Sequence, residues 1–321
     1  MRAVSEQFKQ KFEAVLFGLA LGDALGYPIE FLPLSEIKQE YGQLGVQEPP
    51  DPALYTDDTQ MTLALAEGLL DAGLDADLDT QMNAIGARFV AWRNDLENHR
   101  APGMTCITGV ERFESGMSWR ESGIATSKGC GSAMRVAAIG CLYQHDERRL
   151  YEVARASGLI THGHPTAVAA NIGAAYAVKL ALDGVPVAQY LPKIMAFTDG
   201  ISEEFDQAIR RIGHAGAWSD EEAAMEHIGE GWVGEEAVAL ALYCVIRYPD
   251  DYSACVRRAA NSEGDSDSVA CIAGGIIGAR LGLDAIPAAW RERCENHEYL
   301  RNLAARMANA AYLYTRVEEK S

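Results

Sequence analysis

Two short acidic clusters constrain this chain more than any other feature. Tyr55-Thr56-Asp57-Asp58-Thr59 and Gly264-Asp265-Ser266-Asp267-Ser268 stand about two hundred residues apart, and each leads straight into an apolar, Gly/Ala-rich helical run. One Asp or Thr at such a position is an ordinary N-cap, because its side-chain oxygen accepts from the free N–H groups of the first turn. Two carboxylates and a hydroxyl exceed what capping needs. Four aspartates brought together would repel one another, and hard divalent cations with oxygen ligands would relieve that repulsion. The pattern predicts a fold that joins both ends of the chain around a split, two-metal hydrolytic site. Such a site cannot be cut into two independent domains.

Apolar residues recur at helical spacing over 8–25, 61–70, 82–92, 134–142, 167–182, 237–246, 269–281 and 300–314. Period-two alternation is almost absent. Alanine dominates these segments, and it both favours the helix and lets helices approach closely. Gly18, Gly22, Gly26, Gly173 and Gly278 interrupt them at a cost in helix stability, which points to tight interhelical contact or a nearby ligand. The expectation is an all-α, compact single domain over residues 1–321, with no linker.

The formal charge of −18 and the lack of a basic run leave no groove for nucleic acid or an anionic membrane surface. Any phosphate must be met locally, by backbone amides, metals or single arginines. The seven cysteines are an odd number without a C-x-x-C pair, which reads as buried free thiols in a reducing cytoplasm. The opening residues Arg2, Glu6, Lys9, Lys11 and Glu13 do not match the acid-poor start of a signal peptide. Arg280 interrupts the longest apolar run, so no segment is expected to reach the ~18–20 residues of a membrane span.

Further candidates each have a plainer alternative. Asp57, Asp58 and Thr59 open a helix whose dipole already favours anions. Asp265, Asp267 and Ser268 can aim at one point only if the backbone is irregular, which Gly264 permits. Asp75, Asp77 and Asp79 have the opening of a calcium loop, but Thr80 and Gly86 stand where Gly and Glu are needed, so this is read as a solvated loop. Gly129-Cys130-Gly131-Ser132-Ala133-Met134-Arg135 could offer amides to a phosphate at a helix entry, or be a turn. His162, before Gly163-His164-Pro165, is either a substrate-facing imidazole or part of a helix entry. Glu30 leaves the first helix after Pro28, as a proton carrier beside the metals or a surface acid.

The stretches GDALGYPIEF at 22–31, YTDDTQMTLALAEGLL at 55–70, RAPGMTC at 100–106, KGCGSAMRVAAIG at 128–140, THGHPTAVAA at 161–170, GWVGEEAVALALY at 231–243 and NSEGDSDSVACIAGGIIGA at 261–279 together resemble the ADP-ribosylglycohydrolase superfamily. That group includes dinitrogenase reductase-activating glycohydrolase and the ADP-ribosylarginine hydrolases. The resemblance implies that Thr56, Asp57, Asp58, Asp265, Asp267 and Ser268 bind two magnesium or manganese ions. It implies catalytic carboxylates at Glu30, Asp57 and Asp58, with Glu30 a mobile acid, and substrate contacts at Arg100 and Gly103. Gly129, Cys130, Gly131, Ser132, Met134 and Arg135 would form a phosphate cradle, His162 would reach the distal ribose and Trp232 the adenosine side. Two departures stand out: many relatives carry Asn where Cys130 stands and Thr where Ser268 stands.

The implied reaction is hydrolysis at C1 of the distal ribose of ADP-ribose, most simply from an arginine on a modified protein, with ADP-ribose as product. ADP-ribosyl-serine, O-acetyl-ADP-ribose and small-molecule acceptors are alternatives. So are a non-catalytic ADP-ribose binder and a metal-dependent phosphoesterase.

Overall fold

The computed structural model describes residues 4–96 and 98–318. Among them the chain forms sixteen α-helices and no strand longer than an isolated bridge. The first half carries α1 (Glu6–Gly26), α2 (Leu34–Tyr41), α3 (Asp57–Ala72), α4 (Leu78–Arg93), α5 (Met104–Glu114), α6 (Ala137–Leu142), α7 (Glu147–Leu159) and α8 (Pro165–Leu182). The second carries α9 (Tyr190–Phe197), α10 (Glu203–Ala215), α11 (Glu221–Ile228), α12 (Gly234–Arg247), α13 (Tyr252–Ala260), α14 (Ser266–Leu281), α15 (Ala288–Arg293) and α16 (His297–Glu318).

The packing of α1 against α14 organises the rest. A Cβ added at Gly18 would lie 2.3 Å from the Gly274 carbonyl oxygen, and one at Gly22 would lie 2.1 Å from that of Ala270. Glycine at these positions lets two helix backbones touch, and any side chain would push them apart. The Tyr252 hydroxyl of α13 pins the crossing by donating to the Gly18 carbonyl at 2.9 Å. Helices α8, α12, α13 and α16 close around this pair, so residues from both ends of the chain share one apolar core. The functional consequence lies at the end of the crossing. A Cβ at Gly26 would meet the Asp267 Cα at 2.5 Å, so the start of α14 is pressed against the exit of α1.

The eight strongly apolar segments fall on α1, α3, α4, α6, α8, α12, α14 and α16. Helix α6 starts at Ala137 rather than Met134, because Cys130–Ser132 form a 3₁₀ turn ahead of it. The helices without a strong apolar signal are short or highly charged. Helix α10, for instance, buries Phe205, Ala208, Ile209, Ile212 and Ala215 behind an acidic first turn, so its single stripe is diluted in composition. Asp75 lies in a loop as expected, but Asp77 caps α4 by accepting from the Thr80 N–H at 2.9 Å, and Asp79 sits in its first turn.

One expectation is corrected. The segments Glu6–Ile29 and Pro165–Leu182 are each long and apolar enough to cross a membrane. Both are mostly buried inside the fold, and their apolarity is that of core helices contacted on all sides. All seven cysteines are buried and free.

Candidate active site

The exit of α1, the start of α3 and the start of α14 converge on an acidic floor. Thr56 caps α3, and its hydroxyl lies 3.3 Å from Asp58 Oδ2 and 3.4 Å from Asp267 Oδ2, joining the two sequence clusters. Asp23 of α1 holds this loop from beneath. Its carboxylate accepts from the Thr56 N–H at 3.0 Å, the Thr59 N–H at 3.1 Å and the Thr59 hydroxyl at 2.5 Å. The irregular backbone that the second cluster required is present: Gly264 has φ +86°, and a Cβ there would lie 2.3 Å from the Glu230 carbonyl.

The floor is short of donors. Asp57 accepts from the Gly103 N–H at 3.2 Å, whereas the buried Oδ1 of Asp58 has no hydrogen-bond partner. Burial pushes the Asp57 carboxyl up to about 8, with the charges of Asp23 and Asp265 adding to the shift and the Gly103 bond opposing it. Glu30 also rises to about 8, through burial and then the charges of Asp265, Asp57 and Asp23. Asp58, Asp265 and Asp267 move in the same direction, burial being the largest cause for each. Glu30, Asp265 and Asp267 each bring an oxygen within 4.8 Å of the others. A set of mutually repelling carboxylates with an unpartnered buried oxygen fits hard divalent cations, which supply the missing positive charge.

Above the floor opens a cleft of about 530 Å³. It is lined by Glu30, Asp57, Asp58, Gly103, Gly129, Cys130, Gly131, Met134, His162, Trp232, Asp265, Asp267 and Ser268, all singled out from the sequence. His162 is buried behind the 129–131 turn. Arg135 Nη2 donates to the Thr161 hydroxyl at 2.7 Å, and that hydroxyl is hydrogen-bonded to His162 Nδ1 at 2.8 Å. Burial and the Arg135 charge press the imidazole down to about 3, so it is neutral, and its Nε2 lies on the side of the turn. That nitrogen packs against the turn: a Cβ at Gly129 would stand 3.3 Å from it, and one at Gly131 only 2.7 Å from Cys106 Sγ.

Four expected residues do not line the cleft. Thr56 sits below it as the cap of α3. Ser132 is turned inward, with its hydroxyl buried and unpartnered. Arg135 points into the core, donating to the Gly131 carbonyl at 3.0 Å and the Ser157 carbonyl at 3.3 Å, with its guanidinium 4.5 Å from the Phe89 ring centroid. In this structure it supports the turn from behind rather than lining the cleft. Arg100 also acts from behind, bonding the Tyr55 carbonyl and forming an ion pair with Glu295. Glu295 in turn accepts from the Tyr55 N–H at 3.0 Å, so the pair clamps the residue before Thr56.

Sequence reasoning did not single out Asp23, Phe31 or Glu295. Asp23 had a signal, an acid flanked by helix glycines in GDALG. Phe31 has φ +68°, is 62% exposed, and stacks on Trp232 at the rim with centroids 5.3 Å apart. An exposed aromatic held in a left-handed backbone is a costly arrangement, invisible without coordinates. Glu295 offers no local clue.

Over residues 4–317 the chain matches the family model described as ADP-ribosylglycohydrolase. It is 30% identical to an uncharacterized protein of Archaeoglobus fulgidus, over 93% of this chain and 96% of that one. It is 26% identical to the ADP-ribosylhydrolase ARH3 of Homo sapiens, covering 90% of each chain. It is 25% identical to the ADP-ribosylarginine hydrolase Tri1 of Serratia proteamaculans, over 92% of this chain and 78% of that one. A solved structure titled ADP-ribosylglycohydrolase-related protein complex superposes with a TM-score of 0.76 at 25% identity, covering 96% of this chain and 100% of that one. With the acidic floor and its cleft, these matches show that the chain belongs to the ADP-ribosylglycohydrolase family.

Proposed function

We propose that this protein hydrolyses the N-glycosidic bond between the distal ribose of ADP-ribose and an arginine side chain on a modified protein. Water adds to C1 of the ribose, the C1–N bond breaks, and a proton passes to the departing guanidine nitrogen, giving free ADP-ribose and unmodified arginine. The observation that carries the reading is the crowded, buried carboxylate floor, in which Asp58 Oδ1 has no hydrogen-bond partner.

Thr56, Asp57, Asp58, Asp265, Asp267 and Ser268, with Glu30 beside them, are the residues that would hold two divalent cations, magnesium or manganese. Bound there, such ions would fix the ribose hydroxyls and acidify a water molecule. Asp23 and the Arg100–Glu295 clamp hold the 55–59 loop in place. Glu30, half-buried at the cleft edge, is placed to deliver a proton to the leaving nitrogen. Neutral His162 lines the cleft near the 129–131 turn, where it would meet a substrate oxygen or hydroxyl. The exposed Phe31–Trp232 pair offers an aromatic face to the purine.

Arginine is favoured as acceptor by the acidic cleft, which attracts a guanidinium, and by the similarity to the ADP-ribosylarginine hydrolase of Serratia. We place the reaction in the cytoplasm, where seven free buried thiols would stay reduced, and treat residues 1–321 as one domain. The test is release of ADP-ribose from arginine-linked and serine-linked substrates with magnesium, manganese or chelator. Metal-dependent release from the arginine substrate alone is expected. Release from serine alone would move the acceptor, and AMP as product would replace the reading with a phosphoesterase.

A further inference from the structure

Cys130 stands at the acidic floor in a way that oxygen chemistry does not use. Its thiol donates to Asp265 Oδ2 at 2.7 Å, and its sulfur lies 3.7 Å from the Ser268 hydroxyl. The same hydroxyl is 3.7 Å from the thioether sulfur of Met134. Two sulfur atoms therefore flank the α14 end of the floor, one of them bonded directly to a carboxylate that is a candidate metal ligand. The 3₁₀ turn Cys130–Ser132 fixes the position of the thiol, and the Cys130 N–H donates to the Trp232 carbonyl at 3.2 Å. Both Cys130 and Met134 line the cleft, so the sulfurs are reachable by an ion that enters it. Asp58 lines the same cleft, and its buried Oδ1 has no hydrogen-bond partner.

We propose that Cys130 makes the α14 end of this site a mixed oxygen–sulfur centre that takes thiophilic divalent cations, cadmium or zinc, through its sulfur together with Asp265. The inference rests on the metal-site reading above and adds a donor to it. Carboxylates and hydroxyls favour hard cations, while thiolate and thioether donors select softer ones. When a thiophilic ion enters, the S–H···O contact to Asp265 is replaced by a sulfur–metal bond, and the thiol proton leaves to solvent. Nothing is oxidised or reduced. A chain with an amide in place of Cys130 would lack this preference. Selectivity between hard and soft ions would then be set by one residue that leaves the carboxylate set intact.

The experiment titrates the full-length metal-free protein with cadmium. It reads the ultraviolet sulfur-to-cadmium charge-transfer band and, by calorimetry, the affinity for cadmium and for manganese. The wild type is expected to show the band. Cys130→Ser should lose it, with cadmium affinity falling about tenfold or more and manganese affinity nearly unchanged. Cys106→Ser, which removes the other cleft-lining thiol, should keep the band. Cys130→Ala, checked by circular dichroism, guards against a folding effect of the serine. A band that survives in both Cys130 variants overturns the proposal, as does manganese binding without any cadmium band in the wild type. If neither manganese nor cadmium binds, the metal-site reading falls with it, so the two failures are distinguishable.

Discussion

Two buried charged regions lie on either side of the 129–135 segment, and they are built on opposite principles. Below it, Arg135 is fully buried, yet its terminal nitrogens meet the carbonyls of Gly131 and Ser157 and the Thr161 hydroxyl, its plane lies near the Phe89 ring, and only its Nε is left without a partner. Above it, Asp57, Asp58, Asp265 and Asp267 are almost as deeply buried but face one another, and Asp58 Oδ1 has no partner. A charge supplied with partners belongs to the scaffold. Charges left short of partners mark where a ligand completes the structure. Asp23 sharpens the contrast. It is a fully buried carboxylate a short way below the floor, and three donors from the 56–59 loop hold its shift to about 6.

The comparison is broken most severely by exchanging an acid for its amide. Asp58→Asn or Asp267→Asn should lower turnover about a thousandfold, equivalent to about 4 kcal/mol of transition-state stabilisation. Thermal unfolding of the same metal-free variants should show no loss of stability, because each removes a repelled charge. A large drop in melting temperature would mean that these acids belong to the scaffold after all. Arg135→Met is the reciprocal case. It strands three acceptors and should cost about 3 kcal/mol in urea unfolding.

A smaller effect separates the regions by pH. Glu30 and Asp57 are raised to about 8 in the folded chain against about 4 when unfolded, so the folded state binds more protons between those values. Their stabilising contribution is present at acid pH and is lost as pH rises through about 8. In chelator, the melting temperature should fall between pH 6 and pH 9, and manganese should restore it most at the alkaline end. His162 has the opposite sign. Its folded value of about 3 lies below the unfolded value of about 6.5, so its contribution is complete above about 6.5 and lost as pH falls toward 3. His162→Gln should flatten the acid side of the profile only.

The gentlest perturbation acts through the clamp. Arg100→Ala should weaken manganese binding about tenfold, seen by calorimetry, because it frees Tyr55 and with it the cap at Thr56. Arg100→Lys should recover part of that loss. An unchanged metal affinity paired with a raised KM would instead return Arg100 to the substrate.

The local signals in the sequence were strong where chemistry and secondary structure coincide. Asp57 and Asp265 announce themselves because each stands at a helix start beside a second acid, and the Gly/Ala runs of α1, α8 and α14 can only be core helices. The directions of Arg100 and Arg135 were not legible, because a guanidinium near a conspicuous motif looks the same in sequence whether it turns toward a ligand or toward backbone carbonyls. Phe31 and Glu295 were silent for a related reason: their partners, Trp232 and Tyr55, are about two hundred residues away or more.

By itself, then, the sequence determined the helical class, the acidic character of the floor and the need to join both ends of the chain, since composition, periodicity and local spacing carry that information. Only the tertiary structure decided which polar side chains face the cleft and which support it from behind, that Asp58 is short of a partner, and that a sulfur sits on Asp265. Those facts depend on contacts between residues far apart along the chain, set by the glycine-lined crossing of α1 and α14. No local pattern encodes the direction in which a side chain leaves such a crossing.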